Sequence, residues 1–192
     1  MAKTLRSLFI ILLSNFLVFP VLAKECQGVQ FPDRVQVGNT ALALNGLGLR
    51  EATLFKVNVY VAALYLENPS TDPETILKSN QSKQLTLQFL RDVGREDISK
   101  AWSEGFATSS GNALPALEER INTLNGWMKD IAKGDRLTFT YQPDTGLRVE
   151  VGGATHGPIQ GEDFARAFFA IWLGDKPPNA GLKTGLLGGP CG

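Results

Sequence analysis

The chain has 192 residues, with 19 basic and 19 acidic side chains, one histidine and two cysteines. A net charge of zero lacks the basic footprint of a nucleic-acid binder, and a single histidine with two distant cysteines supplies no zinc-ligand spacing, so no metal or other cofactor is expected. No repeat, low-complexity tract or linker divides residues 24–192, which predicts one domain long enough to close a core without staples.

Met1 to Ala23 carries Lys3 and Arg6, no acidic residue, the apolar run LFIILLSNFLVFPVLA and a small Ala23 before Lys24. That is the layout of a secretory signal peptide. A membrane anchor is the alternative, but Ser14, Asn15 and Pro20 interrupt the run and leave it short of the ~20 apolar residues a spanning helix needs. Cleavage after Ala23 leaves residues 24–192 as a periplasmic or secreted domain with no stable membrane span. It removes two basic residues and no acidic one, so this domain is slightly acidic. Lys24 and Glu25 precede Cys26 where a lipid-attachment site needs small residues. Export takes Cys26 and Cys191 to an oxidising compartment, where such a pair can bridge; otherwise they are two unpaired thiols in frayed segments.

Along the domain, LNGLGLR (44–50) reads as a glycine-rich turn, and TLFKVNVYVAALYLE (53–67) as a long strand too continuously apolar to have one wet face. KQLTLQFL (83–90), RLTFTYQP (136–143) and GLRVEVGG (146–153) alternate with period two, and PDTG joins the last two as a hairpin turn. From Asp97, Ile98, Ala101, Trp102, Gly105 and Phe106 share a helix face; Leu114, Leu117, Ile121, Leu124, Met128 and Ile131 repeat the pattern. GEDFARAFFAIWLGDKPP opens on acidic residues and stops at Gly174 before two prolines, which predicts a third helix. This segregated order argues α+β, an antiparallel sheet with helices on one face, and the space between the layers is the natural ligand site.

Catalytic motifs are mostly missing. His156, in GGATHGPIQG, has no nucleophile motif beside it and reads as a surface or turn histidine. Glu118 and Glu119 are adjacent on a helix and point apart. GLGLRE lacks the third glycine of a dinucleotide fingerprint. What remains is Arg50 with the tyrosines. A guanidinium can hold a carboxylate, phenolate or enolate through two hydrogen bonds, and a phenolic OH can add a third. If the chain reverses near Ala52 and Thr53, Arg50 lies beside Tyr60, whereas a straight run puts them ~33 Å apart. The alternative is that Arg50 pairs with Glu51 or another surface carboxylate and that Tyr60 and Tyr65 are core aromatics.

LNGLGLREATLFKVNVYVAALYLE resembles the signature region of the chalcone isomerase fold, in which a glycine-rich turn and an arginine lead into a long strand ending in YLE. The spacing from arginine to that tyrosine is about two residues shorter here. With FLRDV…AWSEGF and FFAIWLGDKPPNAGLKTGLLG, the likeness to bacterial chalcone isomerase-like proteins covers nearly all of residues 24–192. It implies an open-faced β-sandwich, a large antiparallel sheet covered by a helical layer with a cleft between. It also implies that Arg50 holds a ligand oxyanion. The threonine of the plant enzymes falls on Tyr60, as in non-catalytic fatty-acid-binding members; their tyrosine and asparagine fall near Ile98 and Gly105, which have no donor side chain. Any further donors must come from elsewhere, with Thr108, Ser109 or an ordered water as the candidates. The resemblance thus points to a fatty acid or similar small apolar anion bound at Arg50 and Tyr60, with an intramolecular lyase or isomerase using Arg50 on an enolate as the alternative.

Overall fold

The computed structural model describes residues 23–52 and 57–191. The proposed signal peptide, except Ala23, and the four residues 53–56 lie outside them. The chain runs β1 (Ala23–Cys26), β2 (Val29–Pro32), β3 (Arg34–Val37), β4 (Thr40–Ala52), β5 (Val57–Leu66), α1 (Pro73–Lys78), β6 (Lys83–Phe89), α2 (Arg95–Ser110), α3 (Leu114–Gly126), β7 (Arg136–Gln142), β8 (Gly146–Val151), β9 (Ala154–Ile159), α4 (Glu162–Leu173) and α5 (Ala180–Leu186). Strands β3 to β9 form one antiparallel sheet in sequence order, and β1 and β2 form a separate hairpin.

Period two sorts the core into two faces. Tyr60, Ala62, Leu64 and Leu66 of β5 join Leu85, Leu87, Phe89, Leu137 and Phe139 under the helices. Val61, Ala63 and Tyr65 face the other way, with Leu47 and Leu49, and are covered by Val29 and Phe31 of the β1–β2 hairpin. From Tyr60 to Leu66 β5 is therefore an unbroken apolar run because both its faces are buried there. Beyond that cover the outer face turns polar, with Thr86 and Thr138 meeting across strands. Tyr65 lies on the hairpin side and donates to the Pro32 carbonyl at 3.0 Å, so of the two tyrosines in YVAALY only Tyr60 looks toward the helices.

Residues 44–50 are not a turn. They lie inside the 13-residue strand β4, and the glycines serve a different end. Gly46 and Gly48 pair with Leu64 and Ala62, on the face where α5 lies directly against the strand backbone. A Cβ at Gly46 would stand 2.7 Å from the Leu186 carbonyl oxygen, and one at Gly185 would stand 2.9 Å from the Gly48 Cα. Glycine here is what lets a helix approach a strand this closely. Asn45 donates to the Leu186 carbonyl at 2.8 Å and Asn179 to that of Leu49 at 3.1 Å, pinning both ends of α5.

Two other segments differ from their expected form. His156 sits within β9, half-buried, with its ring stacked on Trp127 at 5.4 Å. The second helix stops at Gly126, so Met128 and Ile131 fall beyond it. Ile131 instead exchanges backbone hydrogen bonds with Val93, closing the loop after β6 onto the segment before β7.

At the end of β6 away from Phe89, Lys83 is only 3 % exposed. Its Nζ donates to the Ser79 carbonyl at 2.6 Å and lies over the rings of Tyr141 and Phe169. Burial pulls this ammonium from 10.5 down to about 8, partly offset by the negative field of Glu162. Because the folded value is depressed, burying the charge costs stability below about pH 8, and the cost fades as pH rises toward 10.5. Lys83→Met, which loses one hydrogen bond and removes a buried charge, is expected to stabilise the protein by about 1–2 kcal/mol at pH 7, with the gain vanishing near pH 10. Urea melts at the two pH values check this, and a less stable Met variant at pH 7 would show the ammonium to be a net stabiliser.

Candidate functional site

The register of β4 on β5 sets Arg50 directly opposite Tyr60, and Tyr60 in turn pairs with Phe89 of β6. Cross-strand partners share a face, so the three side chains form a row across one end of the sheet, on the helix side. The backbone slips by one residue just after Arg50. Such an irregularity re-aims a side chain at a sheet margin. The expected reversal of the chain falls at residues 53–56, outside the described set, but the pairing of Ala52 with Val57 shows that the strands are antiparallel neighbours.

Above this row lies a cleft of about 420 Å³, within the size range of small-ligand sites. Its floor is Arg50, Val59, Tyr60 and Phe89; its roof is the face of α2 bearing Ile98, Ala101, Trp102 and Gly105; Ile171 of α4 closes the back. Arg91, Asp92, Lys176 and Pro178 come from the loops at the rim. Ile98 and Gly105 thus both line the cleft, and neither offers a hydrogen bond from its side chain. Gly105 has a packing duty: a Cβ there would come within 2.8 Å of Ile171 Cγ2, so its absence lets α2 lie close on α4.

Arg50 is partly buried and donates through Nη1 to the carbonyl oxygen of Glu51. Among the described residues it makes no ion pair with a carboxylate, Glu51 included. Tyr60 is 7 % exposed, and its hydroxyl accepts a hydrogen bond from Trp172 Nε1 at 3.0 Å. Burial pushes its phenol up to about 12, against the smaller opposing effects of the Trp172 hydrogen bond and the Arg50 charge. The phenol is a neutral donor over the ordinary pH range. Thr108 and Ser109 are committed to the carbonyls of Glu104 and Ala167 at 2.8 and 3.1 Å, so they supply no spare donor.

The N–H donors of Trp102 and Trp172 escaped the sequence reading, which placed Trp102 on an apolar helix face and singled out nothing at Trp172. Trp102 packs edge-on to Phe139 and lies 5.5 Å from Trp172, and its buried Nε1 has no partner among the described residues. The only available signal was that Trp, unlike Leu, carries a donor that needs a partner when buried. Cys26 and Cys191 are joined by a disulfide that ties the hairpin to the tail after α5. Among the described residues no cluster of metal-ligating side chains occurs, and no helix is long and apolar enough to cross a membrane.

A structure of an Arabidopsis thaliana fatty-acid binding protein (AtFAP1) superimposes with a TM-score of 0.65 at 16 % identity, over 86 % of this chain and 96 % of that one. At that identity the likeness speaks for the fold. No curated protein matches the sequence significantly. The family model described as chalcone isomerase-like matches residues 23–188, and with its large antiparallel sheet under a layer of helices the chain belongs to the chalcone isomerase-like family.

Proposed function

We propose that the protein binds a fatty acid or similar small apolar anion, its carboxylate on Arg50 and Tyr60 and its tail along Val59, Phe89, Ile98 and Ile171. The observation that carries this reading is the direct cross-strand pairing of Arg50 with Tyr60 at the floor of an apolar cleft. A fork of donors and a neutral phenol suit a carboxylate, and the fatty-acid binding activity named for the structural neighbour agrees with it. Catalysis is disfavoured at this site. Donors that hold an oxyanion equally well before and during reaction lower the energy of both states alike and leave the rate unchanged, and positions 98 and 105 add none at a reacting ketone. The signal-like residues 1–23 and the Cys26–Cys191 bond support export to a periplasmic or secreted location.

Displacement of a fluorescent fatty acid by hexadecanoate, run beside a hydroxychalcone cyclisation assay, tests this reading. Binding and no turnover are expected, and Arg50→Ala is expected to weaken hexadecanoate at least about 30-fold with an unchanged circular dichroism spectrum. Turnover that disappears in Arg50→Ala, with no displacement by hexadecanoate, establishes an isomerase instead. Unfolding of Arg50→Ala makes the arginine a structural residue.

A further inference from the structure

We propose that Trp172 is a positioning residue that fixes Tyr60 as a hydrogen-bond donor, so that the cleft selects headgroups that only accept hydrogen bonds, carboxylates first among them. The inference rests on the binding reading above and specifies how that site discriminates.

A phenolic hydroxyl can donate or accept, whereas an indole N–H can only donate. The contact between Trp172 Nε1 and Tyr60 Oη at 3.0 Å is therefore possible in one sense alone: the tyrosine accepts, and its own proton points elsewhere. Trp172 cannot turn away to release that constraint. It is 1 % exposed, with its ring 5.0 Å from Phe168 and 5.5 Å from Trp102. No acceptor for the Tyr60 proton occurs among the hydrogen bonds of the described residues, and Tyr60 lines the cleft beside Arg50. Burial keeps the phenol protonated.

The two polar groups at the floor then present only hydrogens. A carboxylate satisfies both. An alcohol of the same chain length brings a proton of its own, and at this floor that proton meets donors; a polar group left unpaired in a buried site is the strongest basis for rejecting an analogue. The acidic residues of the lining, Asp92 in the rim loop and Asp97 and Glu104 of α2, are solvent-exposed. Asp92 already accepts from the Lys133 backbone N–H at 2.7 Å.

Calorimetric titration with dodecanoate and with 1-dodecanol, on the wild type, Trp172→Phe, Tyr60→Phe and the double variant, tests the proposal. The wild type is expected to prefer dodecanoate by about 10-fold or more. Trp172→Phe keeps an aromatic ring in the core; it is expected to weaken dodecanoate about 5-fold while leaving dodecanol nearly unchanged, and to have no further effect once Tyr60 is Phe. A loss that is equal for both ligands, or that persists in the Tyr60→Phe background, reduces Trp172 to packing and overturns the proposal. Tyr60→Phe serves on its own if Trp172→Phe does not fold: an undiminished preference for dodecanoate in that variant overturns it as well. A wild type that binds neither ligand removes the binding reading together with this inference, whereas dodecanoate binding that Trp172→Phe leaves untouched removes this inference alone.

Discussion

Gly46→Ala is expected to destabilise the protein by about 3 kcal/mol or more, at the upper end of what one added methyl does in a packed site. The new Cβ meets backbone on three sides, at the carbonyl oxygens of Gly185 and Leu186 and the amide nitrogen of Gly188. None of these can step aside as a flexible side chain does. At Gly46 strand β4 is held in the sheet by its pairing with Leu64 of β5, the β3 pairing being confined to Thr40–Ala43, so α5 is the element that must lift. Lifting it strains the Asn45 and Asn179 hydrogen bonds and shifts Lys176 and Pro178, which rim the cleft. The variant should therefore lose urea resistance and fatty-acid affinity together. A wild-type melting curve for Gly46→Ala would mean that helix and strand can part without cost.

Cys26→Ser is expected to be at least as damaging. The bond closes a loop across a sequence separation of 165, and chain-entropy reasoning assigns a loop of that size about 5 kcal/mol of stabilisation through the unfolded state. Cys26 is 5 % exposed and packs in the cluster beneath the sheet with Phe31 and Leu49, so serine there also leaves a hydroxyl in apolar surroundings. Equilibrium unfolding of the oxidised wild type, the reduced wild type and Cys26→Ser separates the two contributions. Identical midpoints for all three would remove the bond from the stability of the fold.

The parts of the fold legible in the sequence are those whose hydrophobic period is clean. β7 and β8 alternate apolar and polar along their length, α4 carries an unbroken apolar stripe, and β5 announces burial on both faces by having no polar side. β4 was not legible. Its glycines imitate a turn, and the reason for them is a helix that arrives more than 130 residues later in the chain. The strands β1, β2 and β3 hold four residues each, too few for a period to stand out, and β9, ATHGPI, has no apolar alternation to read. At the site, Arg50 and Tyr60 were singled out by their chemistry together with the resemblance of the segment that holds them, and the strand register does set the two side by side. Trp172 was invisible for a physical reason: a tryptophan on an apolar helix stripe looks like core, and only tertiary packing shows where its single N–H points.

The bond between Cys26 and Cys191 also orders events in time. Its second sulfur is made 165 residues after the first, after every strand of the large sheet and every helix has been synthesised. The bond therefore cannot steer early collapse or choose among strand registers; the hydrophobic pattern has to do that while Cys26 is still a thiol. Its place is at the finish, where it locks the hairpin under the sheet once α5 has docked. A chain halted before residue 191 would carry the same site residues with a reactive thiol still open, visible to any machinery that captures unpaired cysteines.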